Sequence, residues 1–455
     1  IVNYDDGVVG GSEPADQDLI TRTIYDAAGR RVQMIDPAGR VTAFTYDLRD
    51  NLLSVTENVA SGTCPLAPCN VTTSYRYDRA GNRLSITDAN NHTRTFAYDA
   101  ADQQIAAIDP LTQVTAFRYD SLGRLTLKDD PRGSDYDVTY SYDDADRPTG
   151  ISATELDAPI TMAYNALGWR TSLGDGTGST SFSHDDLGRI TGLTAPNTGS
   201  VGYAYNARGE RTQLTYPNSV VLDYTYWNDG RMREVRQGSS VLASYTYDSA
   251  GRPATTTLAS GVIVTSASYD DADRLDDLHT QVGSTTRTRF TYTLDRLGLR
   301  TAVSEVLGSS TRSVSYTYDG LLRLTGATES GATSNSYSYG YDLAGNRTSA
   351  TVNGSTITTT YNAANQITST GYVYDAAGNL TNSPGITTTY DALNRSTSAT
   401  DGTTTSSSVY NGDGILVETS NGTVTTRYAQ DLAGSLSQIL RITQGSSGGT
   451  VLWGR

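Results

Sequence analysis

The residues of this sequence that could perform chemistry recur in one short motif, Tyr-Asp-x-x-Gly followed by Arg or Asn. A carboxylate beside a phenol and a guanidinium could act in general acid–base catalysis or bind a sugar. With its looser copies, however, the motif occurs 19 times along the chain. Because a catalytic group is not needed 19 times, we interpret the motif as architectural and expect no enzymatic activity.

Each residue type of the motif has a physical role in a hairpin-type turn. The Asp carboxylate can accept hydrogen bonds from backbone N–H groups two residues on, and the Gly can adopt a positive φ. The Tyr supplies ring area and a hydroxyl that can reach a partner, and the Arg can bridge to an Asp or carbonyl of a neighbouring repeat. The clearest copies contain Tyr25, Asp26, Gly29 and Arg30; Tyr77, Asp78 and Gly81; Tyr119, Asp120, Gly123 and Arg124; Tyr247, Asp248, Gly251 and Arg252; Tyr341, Asp342 and Gly345; and Tyr374, Asp375 and Gly378.

Other reactive residue types give weaker patterns. The histidines His92, His184 and His279 are too few and too scattered for a zinc site. His184 stands where the motif has Tyr, which favours the replacement of one ring by another. A Gly-x-Ser-x-Gly pattern at 445–449 is not followed by a histidine, so it does not predict a hydrolase nucleophile.

Aspartates cluster at 143–146, 185–186 and 270–273, where calcium could find several oxygen ligands on one turn. Each cluster also lies in a repeat turn, so a solvated turn is preferred over a calcium site. The glycine-rich stretch 174–178 has neither the lysine of a P-loop nor a following helix pattern. We therefore expect no metal and no cofactor.

The two cysteines, Cys64 and Cys69, lie in the sequence Cys-Pro-Leu-Ala-Pro-Cys. This sequence falls inside a 31-residue step between motif copies, whereas the commonest step is 21 residues, so it predicts a hairpin extension. A separation of five residues lets the loop close locally, and a disulfide is expected in an extracellular protein. Free thiols in a reducing compartment and a metal site remain the alternatives.

Composition and charge exclude several classes of function. The chain has 34 basic and 49 acidic residues, and its net charge of −15 opposes binding to a nucleic acid. Lys128 is the only lysine, so all other basic residues counted here are arginines, whose planar guanidinium pairs bidentately with carboxylates. No apolar run approaches the roughly 18 residues of a transmembrane helix, so no membrane span is expected.

The elements that must position the motif are short strands. Aromatic and polar residues alternate before it, as in Phe117-Arg118-Tyr119, and this period places both rings on one face of a strand. Copies mostly begin 20–25 residues apart, with steps of 13 and 16 residues between Tyr361 and Tyr390. One repeat is then two strands and two turns, which predicts about 40 strands in all. Because open sheets rarely exceed about ten strands, so long a sheet is expected to coil.

This pattern resembles the YD-repeat (Rhs repeat) family of bacterial Rhs proteins, Tc toxin C subunits and teneurins. The resemblance covers about residues 20–438, and the stretch 426–432 is similar to the run-in to the closing repeats of an Rhs core. It implies an all-β fold, in which a long spiralling antiparallel sheet of repeated β-hairpins forms a shell, often around a toxic C-terminal domain. Many Rhs cores end in an autoproteolytic Asp-Pro-x-Gly motif, but this sequence stops at 451–455 without one. The Asp-Pro-Ala-Gly at 36–39 is an N-terminal repeat turn.

The sequence therefore predicts three segments: a lead-in at 1–19, the repeat array at 20–438, and a Ser/Gly-rich, truncated C-terminal edge at 439–455. The absence of an initial Met and of a signal-like region favours a fragment or processed product. The expected function is that of a secreted or cell-surface scaffold whose shell encloses or presents a C-terminal effector or toxin that is not present in this chain. The alternative is an extracellular adhesin or filament subunit that binds glycans or neighbouring repeat chains.

Overall fold

The protein is built from β-strands, which confirms the predicted all-β class. The structure is a computed structural model that describes residues 19–196, 199–433, 437–445 and 447–450. These residues form 40 strands and two short 3-10 helices, Ser134–Tyr136 and Ala259–Gly261, and they contain no α-helix. In the part of the chain described, no helical segment has the length and hydrophobicity that crossing a bilayer requires. Residues 1–18 of the expected lead-in, Ser446 and residues 451–455 lie outside the described part.

Strands β1 to β31 form one antiparallel sheet, in which strands that follow each other along the chain pair, as β9 does with β8 and β10. Their bounds are β1 (Arg22–Tyr25), β2 (Arg31–Ile35), β3 (Val41–Tyr46), β4 (Leu52–Glu57), β5 (Val71–Tyr77), β6 (Arg83–Thr87), β7 (Thr93–Tyr98), β8 (Gln104–Ile108), β9 (Val114–Tyr119), β10 (Leu125–Asp129), β11 (Val138–Tyr142), β12 (Pro148–Ser152), β13 (Ile160–Tyr164), β14 (Arg170–Asp175), β15 (Gly178–His184), β16 (Ile190–Ala195), β17 (Gly199–Tyr205), β18 (Arg211–Thr215), β19 (Val221–Tyr226), β20 (Met232–Gln237), β21 (Ser240–Tyr247), β22 (Pro253–Leu258), β23 (Ile263–Tyr269), β24 (Leu275–Val282), β25 (Thr285–Leu294), β26 (Arg300–Leu307), β27 (Ser310–Tyr318), β28 (Leu324–Gly331), β29 (Ser336–Tyr341), β30 (Arg347–Val352) and β31 (Ser355–Thr358).

The remaining nine strands form a second sheet, which begins where the repeats are shortest. Between the two sheets, residues 359–372 hold a single isolated bridge, Tyr361 with Ile367. The motif copies here start 13 and 16 residues apart, which leaves too few residues for two strands of ordinary length and two turns. The division into two sheets is a detail that the sequence prediction lacked. The strands are β32 (Val373–Tyr374), β33 (Leu380–Ser383), β34 (Ile386–Tyr390), β35 (Ser396–Thr400), β36 (Thr405–Tyr410), β37 (Leu416–Ser420), β38 (Thr425–Asp431), β39 (Gln438–Gln444) and β40 (Ser447–Thr450).

The hairpins closed by the motif carry a β-bulge. In the hairpin β9–β10, Tyr119 pairs with Leu125 while Arg118 pairs with Leu127, so Thr126 is one extra residue on its strand. The same shift in register recurs at the motif position of the hairpins β1–β2, β11–β12, β17–β18, β27–β28 and β36–β37. Because a bulge increases the local right-handed twist, each such hairpin favours a twisted sheet over a flat one.

The chain divides into two compact units. The first comprises residues 1–97, 109–111 and 245–367, and the second comprises the stretches 98–108, 112–244 and 368–455. In the first unit the buried side chains of Val303, Val314 and Ala327 pack with Phe290, Tyr292, Tyr316 and Tyr337. In the second unit the largest fully buried apolar or aromatic side chains are Val138, Leu173, Leu214, Tyr216, Leu222 and Leu440.

The predicted alternation of aromatic residues is visible on β25. The rings of Phe290 and Tyr292 lie on the same face, with centroids 6.5 Å apart and planes inclined by 7°. Thr291 between them is exposed. This is the two-residue period of a strand, and it places both rings of this pair in the packed layer with Val303, Val314 and Ala327.

Candidate functional site

The repeat turn is organised by its aspartate carboxylate. Oδ1 of Asp120 accepts hydrogen bonds from the backbone N–H groups of Leu122 at 2.9 Å and Arg124 at 3.0 Å. The N–H of Gly123 donates to the Asp120 carbonyl at 3.0 Å, and the φ of Gly123 is +83°. Glycine suits this conformation because it has no Cβ to clash with the backbone. All contacts of the turn are therefore made within five consecutive residues.

Arg124 joins its own turn to the next one. Its Nε donates to Oδ2 of Asp120 at 2.7 Å, and its Nη1 donates to the backbone carbonyl of Asp143 at 3.1 Å. Nη1 also contacts the Asp146 carboxylate at 2.8 Å, and the guanidinium carbon lies 5.1 Å from the ring centre of Tyr142. The sequence predicted the bridge to the neighbouring repeat. It did not predict that the same Arg also binds its own Asp and covers a Tyr ring.

These contacts stabilise the charged forms of both side chains. The hydrogen bond from the Arg124 backbone N–H is the main reason that the pKa of Asp120 lies below its ordinary value. The hydrogen bond to Asp120 in turn raises the pKa of Arg124. General acid–base catalysis favours groups whose pKa lies near the working pH. Both shifts lead away from neutrality, so the pair is suited to structure.

The bond from Arg to its own Asp recurs along the chain. It measures 2.6–2.8 Å in the pairs Asp26–Arg30, Asp143–Arg147, Asp185–Arg189, Asp248–Arg252, Asp270–Arg274, Asp319–Arg323 and Asp391–Arg395. Where Asn replaces Arg, its Nδ2 binds the same carboxylate oxygen at 2.8–3.0 Å, in the pairs Asp78–Asn82, Asp342–Asn346 and Asp375–Asn379. Asn can therefore substitute for Arg within the turn.

The motif tyrosines tie each repeat to the one before it. The Tyr119 hydroxyl donates to the carbonyl of Gln104 at 2.8 Å, just beyond the preceding motif turn. Equivalent bonds of 2.6–3.1 Å start from Tyr46, Tyr142, Tyr164, Tyr205, Tyr226, Tyr269, Tyr318, Tyr341, Tyr361 and Tyr390. Tyr25 lies on the first described strand and is 61 % exposed. The hydroxyl, together with the Arg bridge, makes each repeat depend on its neighbours.

The six clearest motif copies all lie at turns. Their tyrosines end β1, β5, β9, β21, β29 and β32. Their glycines, Gly29, Gly81, Gly123, Gly251, Gly345 and Gly378, all have positive φ.

The histidines are not brought together. The ring of His184 lies 5.6 Å from that of Trp169, so it packs as an aromatic ring would at the motif position. His279 Nε2 and the Thr286 hydroxyl are 2.8 Å apart, and His92 lies beside Asp88. Among the described residues no group of three or more His, Cys, Asp or Glu side chains is arranged to hold a metal ion.

The aspartate clusters form repeat turns. Asp146 and Asp273 occupy the position of the motif glycine, with φ of +62° and +59°. Asp is among the few residues that tolerate this left-handed conformation. Asp185 occupies the position of the motif aspartate, and its Oδ1 accepts hydrogen bonds from the backbone N–H groups of Leu187 and Arg189, both at 3.0 Å. The clusters therefore follow from the turn geometry of the repeat.

Cys64 and Cys69 are joined by a disulfide, with an S–S distance of 1.98 Å and their Cα atoms 5.9 Å apart. The bond closes the tip of the hairpin extension between β4 and β5. Both residues are half-buried, whereas Leu66 between them is exposed.

Within the second unit, side chains also link segments that are far apart in sequence. Arg132 donates to the carbonyl of Asp391, 259 residues later, at 3.0 Å. Arg170 binds both carboxylate oxygens of Asp413, 243 residues later, at 2.6 and 2.7 Å. Such two-pronged pairs combine charge attraction with a defined geometry. The contacts of Arg132 and Arg170 therefore hold the second sheet against strands of the first sheet.

A third link of this kind is the buried ion pair of Arg211 and Asp431. The rings of Tyr203 and Tyr224 lie beside Arg211, 6.0 and 5.2 Å from its guanidinium carbon, and these tyrosines are only 6 % and 3 % exposed. Burial is the main cause that raises the pKa of both phenols, so both stay protonated at neutral pH. Burial lowers the pKa of Arg211, but attraction to Asp431 outweighs it and the net shift is upward. The pair is largely withdrawn from solvent, since the side chains of Arg211 and Asp431 are 15 % and 5 % exposed.

Comparison with known families shows where these repeats belong. The Teneurin YD-shell family profile matches residues 134–237 and 244–385, which together exceed half of the chain. The RHS repeat profile matches residues 25–63, 77–111 and 98–135. A search of curated proteins found no match.

Solved Tc toxin structures share the fold. A chain of the Photorhabdus luminescens Tc holotoxin pore with mutated TccC3 matches with a TM-score of 0.74 and 15 % identity, over 93 % of this chain and 27 % of that chain. A TcdB2–TccC3–Cdc42 structure matches with a TM-score of 0.74 and 15 % identity, over 94 % and 27 % of the two chains. TcdB2–TccC3 without its hypervariable C-terminal region matches with 0.72 and 15 %, over 93 % and 27 %. The present chain thus spans about a quarter of the length of the solved chains.

Proposed function

Since the chain belongs to the Teneurin YD-shell family, we propose that it forms part of the wall of a β-shell. The shell encloses or presents an effector or toxin domain of the same longer protein. Solved relatives of this fold are named as TcdB2–TccC3 assemblies, and one of them lacks a hypervariable C-terminal region. That naming supports a variable domain beyond the shell, and the short span of this chain leaves room for one.

The observation that carries the proposal is the set of links between distant turns. In an open sheet the turns at the ends of the strands would face solvent or other chains. Here, in contrast, Arg132 and Arg170 bind segments of the same chain more than 240 residues later. Within the second unit, such links join the region of the first sheet to turns of the second sheet. A wall built this way separates two sides, which a scaffold for a confined domain requires.

Secretion or display at the cell surface is part of the same proposal. The disulfide between Cys64 and Cys69 supports an oxidising location, because disulfides persist mainly outside the reducing cytosol. The net charge of −15 favours solubility of a large repeat surface.

Electron cryomicroscopy of the native full-length protein tests the proposal. We expect hollow particles whose wall is one sheet thick, with density for a further domain inside or at the mouth. Open fibres that grow by addition of chains would contradict the shell and support the filament alternative. Particles without any domain beyond the wall would contradict the carrier role.

Limited proteolysis adds a matched comparison. In the native protein the additional domain should resist trypsin longer than the same domain does after release by urea. Arg170→Gln removes the link to Asp413 and should increase the cleavage rate of that domain. Arg118→Gln alters an exposed Arg on β9 and serves as the control. Equal cleavage rates in both variants and the native protein would contradict the idea that links such as Arg170–Asp413 help to confine the additional domain.

A further inference from the structure

The hairpin extension at 58–70 is held together by one buried side chain. Asn58 is only 7 % exposed, and its Nδ2 donates to the carbonyls of Leu66 and Pro68, both at 2.7 Å. The same nitrogen lies 3.3 Å from the Cys69 sulfur. At the base of the extension, the Asn70 N–H donates to the Asn58 carbonyl at 3.0 Å. These bonds require residues 66–69 to converge on one amide group.

The extension rests on a repeat turn from much later in the chain, within the first unit. The N–H of Gly320 donates to the carbonyl of Ala67 at 2.9 Å, and the Gly320 carbonyl accepts a bond from Arg40 at 3.0 Å. A Cβ on Gly320 would lie 2.1 Å from both Asn58 Nδ2 and the Leu66 carbonyl oxygen. The φ of Gly320 is not positive, so glycine is required here by the close approach and not by backbone conformation.

The sequence carries a signal for this contact. Among the 19 motif copies, the residue directly after the Asp or Asn is Gly only at Gly320 and Gly412. Gly412 is likewise crowded, since a Cβ there would lie 2.8 Å from Ile160 and 2.9 Å from Leu173. In both turns this residue also donates its N–H to a distant segment, and for Gly412 the acceptor is Asp175 at 2.6 Å. Gly at this position therefore marks a turn on which another segment packs.

We propose that the extension is a redox-controlled clasp, in which the Cys64–Cys69 disulfide holds the carbonyls of residues 66–68 against the turn at Gly320. Reduction takes two electrons and two protons from a dithiol, which becomes a cyclic disulfide, and it leaves two thiols on the protein. Without the disulfide, the open form of the segment has more conformational entropy, and the hydrogen bonds alone must then offset this entropy to keep the segment closed. The clasp opens, and the turn at Gly320 loses the acceptor for its N–H. The half-buried position of both cysteines leaves them within reach of a small reductant.

Hydrogen exchange of the peptide 318–323, followed by mass spectrometry, tests the clasp. In the oxidised protein the Gly320 amide should exchange slowly. Dithiothreitol, or the double substitution Cys64→Ser and Cys69→Ser, should speed its exchange by about tenfold, as expected for loss of one buried hydrogen bond. Gly320→Ala should have the same effect without reduction, because its Cβ displaces the loop.

Gly62→Ala is the matched control, since it lies in the same extension with no atom within 4 Å of the added Cβ. It should leave the exchange of 318–323 unchanged. Two results would overturn the proposal. The first is slow exchange that persists after reduction and in the double-Ser variant. The second is an equal increase in the peptide 286–294 of the same unit, which would mean that the disulfide acts on global stability and not on this turn.

Discussion

Replacement of Gly123 by Val tests the turn on which the repeat depends. The φ of Gly123 is +83°, a conformation that a β-branched residue strongly disfavours. The added Cβ would lie 2.8 Å from Nε2 of Gln103, the mobile end of a side chain that can move aside. The cost is therefore mainly conformational, about 1–3 kcal/mol for a residue held in a disfavoured region.

Gly123→Asn provides a matched control for this strain. The chain itself places Asp102, Asp146 and Asn365 at the equivalent turn position, with φ of +61°, +62° and +61°. Asn tolerates the left-handed region, so this variant should cost less than about 1 kcal/mol. A difference between Val and Asn then reports backbone conformation, since both add a side chain at the same point.

Hydrogen exchange measures the effect repeat by repeat. A cost of about 1–3 kcal/mol corresponds to about fivefold to 150-fold faster exchange of amides that open locally. The change should be confined to β9, β10 and the adjacent hairpins, because each repeat contacts mainly its neighbours. Unchanged exchange around Tyr119, or equal effects of Val and Asn, would refute the turn assignment. Equal acceleration in all repeats would instead show that the sheet unfolds as one cooperative unit.

Three other outcomes are expected. In the unreduced, unfolded protein the two cysteines should resist thiol labelling, and labelling of both would refute the disulfide. The hydrogen bond from Thr403 lowers the pKa of Asp401 to about 2. The stabilisation that this bond contributes is therefore complete above pH ~4, near the pKa of Asp in the unfolded chain. It is lost as the pH falls through about 2. An NMR titration should show this, and Thr403→Val should raise the pKa. A double-mutant cycle of Arg170→Gln and Asp413→Asn should give a coupling of about 0.5–1 kcal/mol in urea unfolding, and zero coupling would contradict the link.

The repeat turn was predictable because its contacts are local. The Asp120 carboxylate reaches N–H groups two and four residues on, and Gly123 supplies the positive φ, so five residues of sequence contain the whole arrangement. The alternating aromatics before the turn likewise specify which face of a strand is packed. Repetition of this local code identified both the all-β class and the family. The bulge in the motif hairpins was not foreseen, because an extra residue on one strand appears only once the partner strand is known.

What the sequence determined by itself is therefore the content of each repeat, through hydrogen bonds and side-chain periods that span a few residues. Only the tertiary structure decided which repeats meet across the chain, as Arg211 meets Asp431 and Gly320 meets the extension at 58–70. Those partners are separated by 220 residues or more, and an Arg in one turn has the same local sequence whether or not it meets a distant carboxylate. The physical reason is that such pairings depend on the accumulated twist of many strands, which no single repeat encodes.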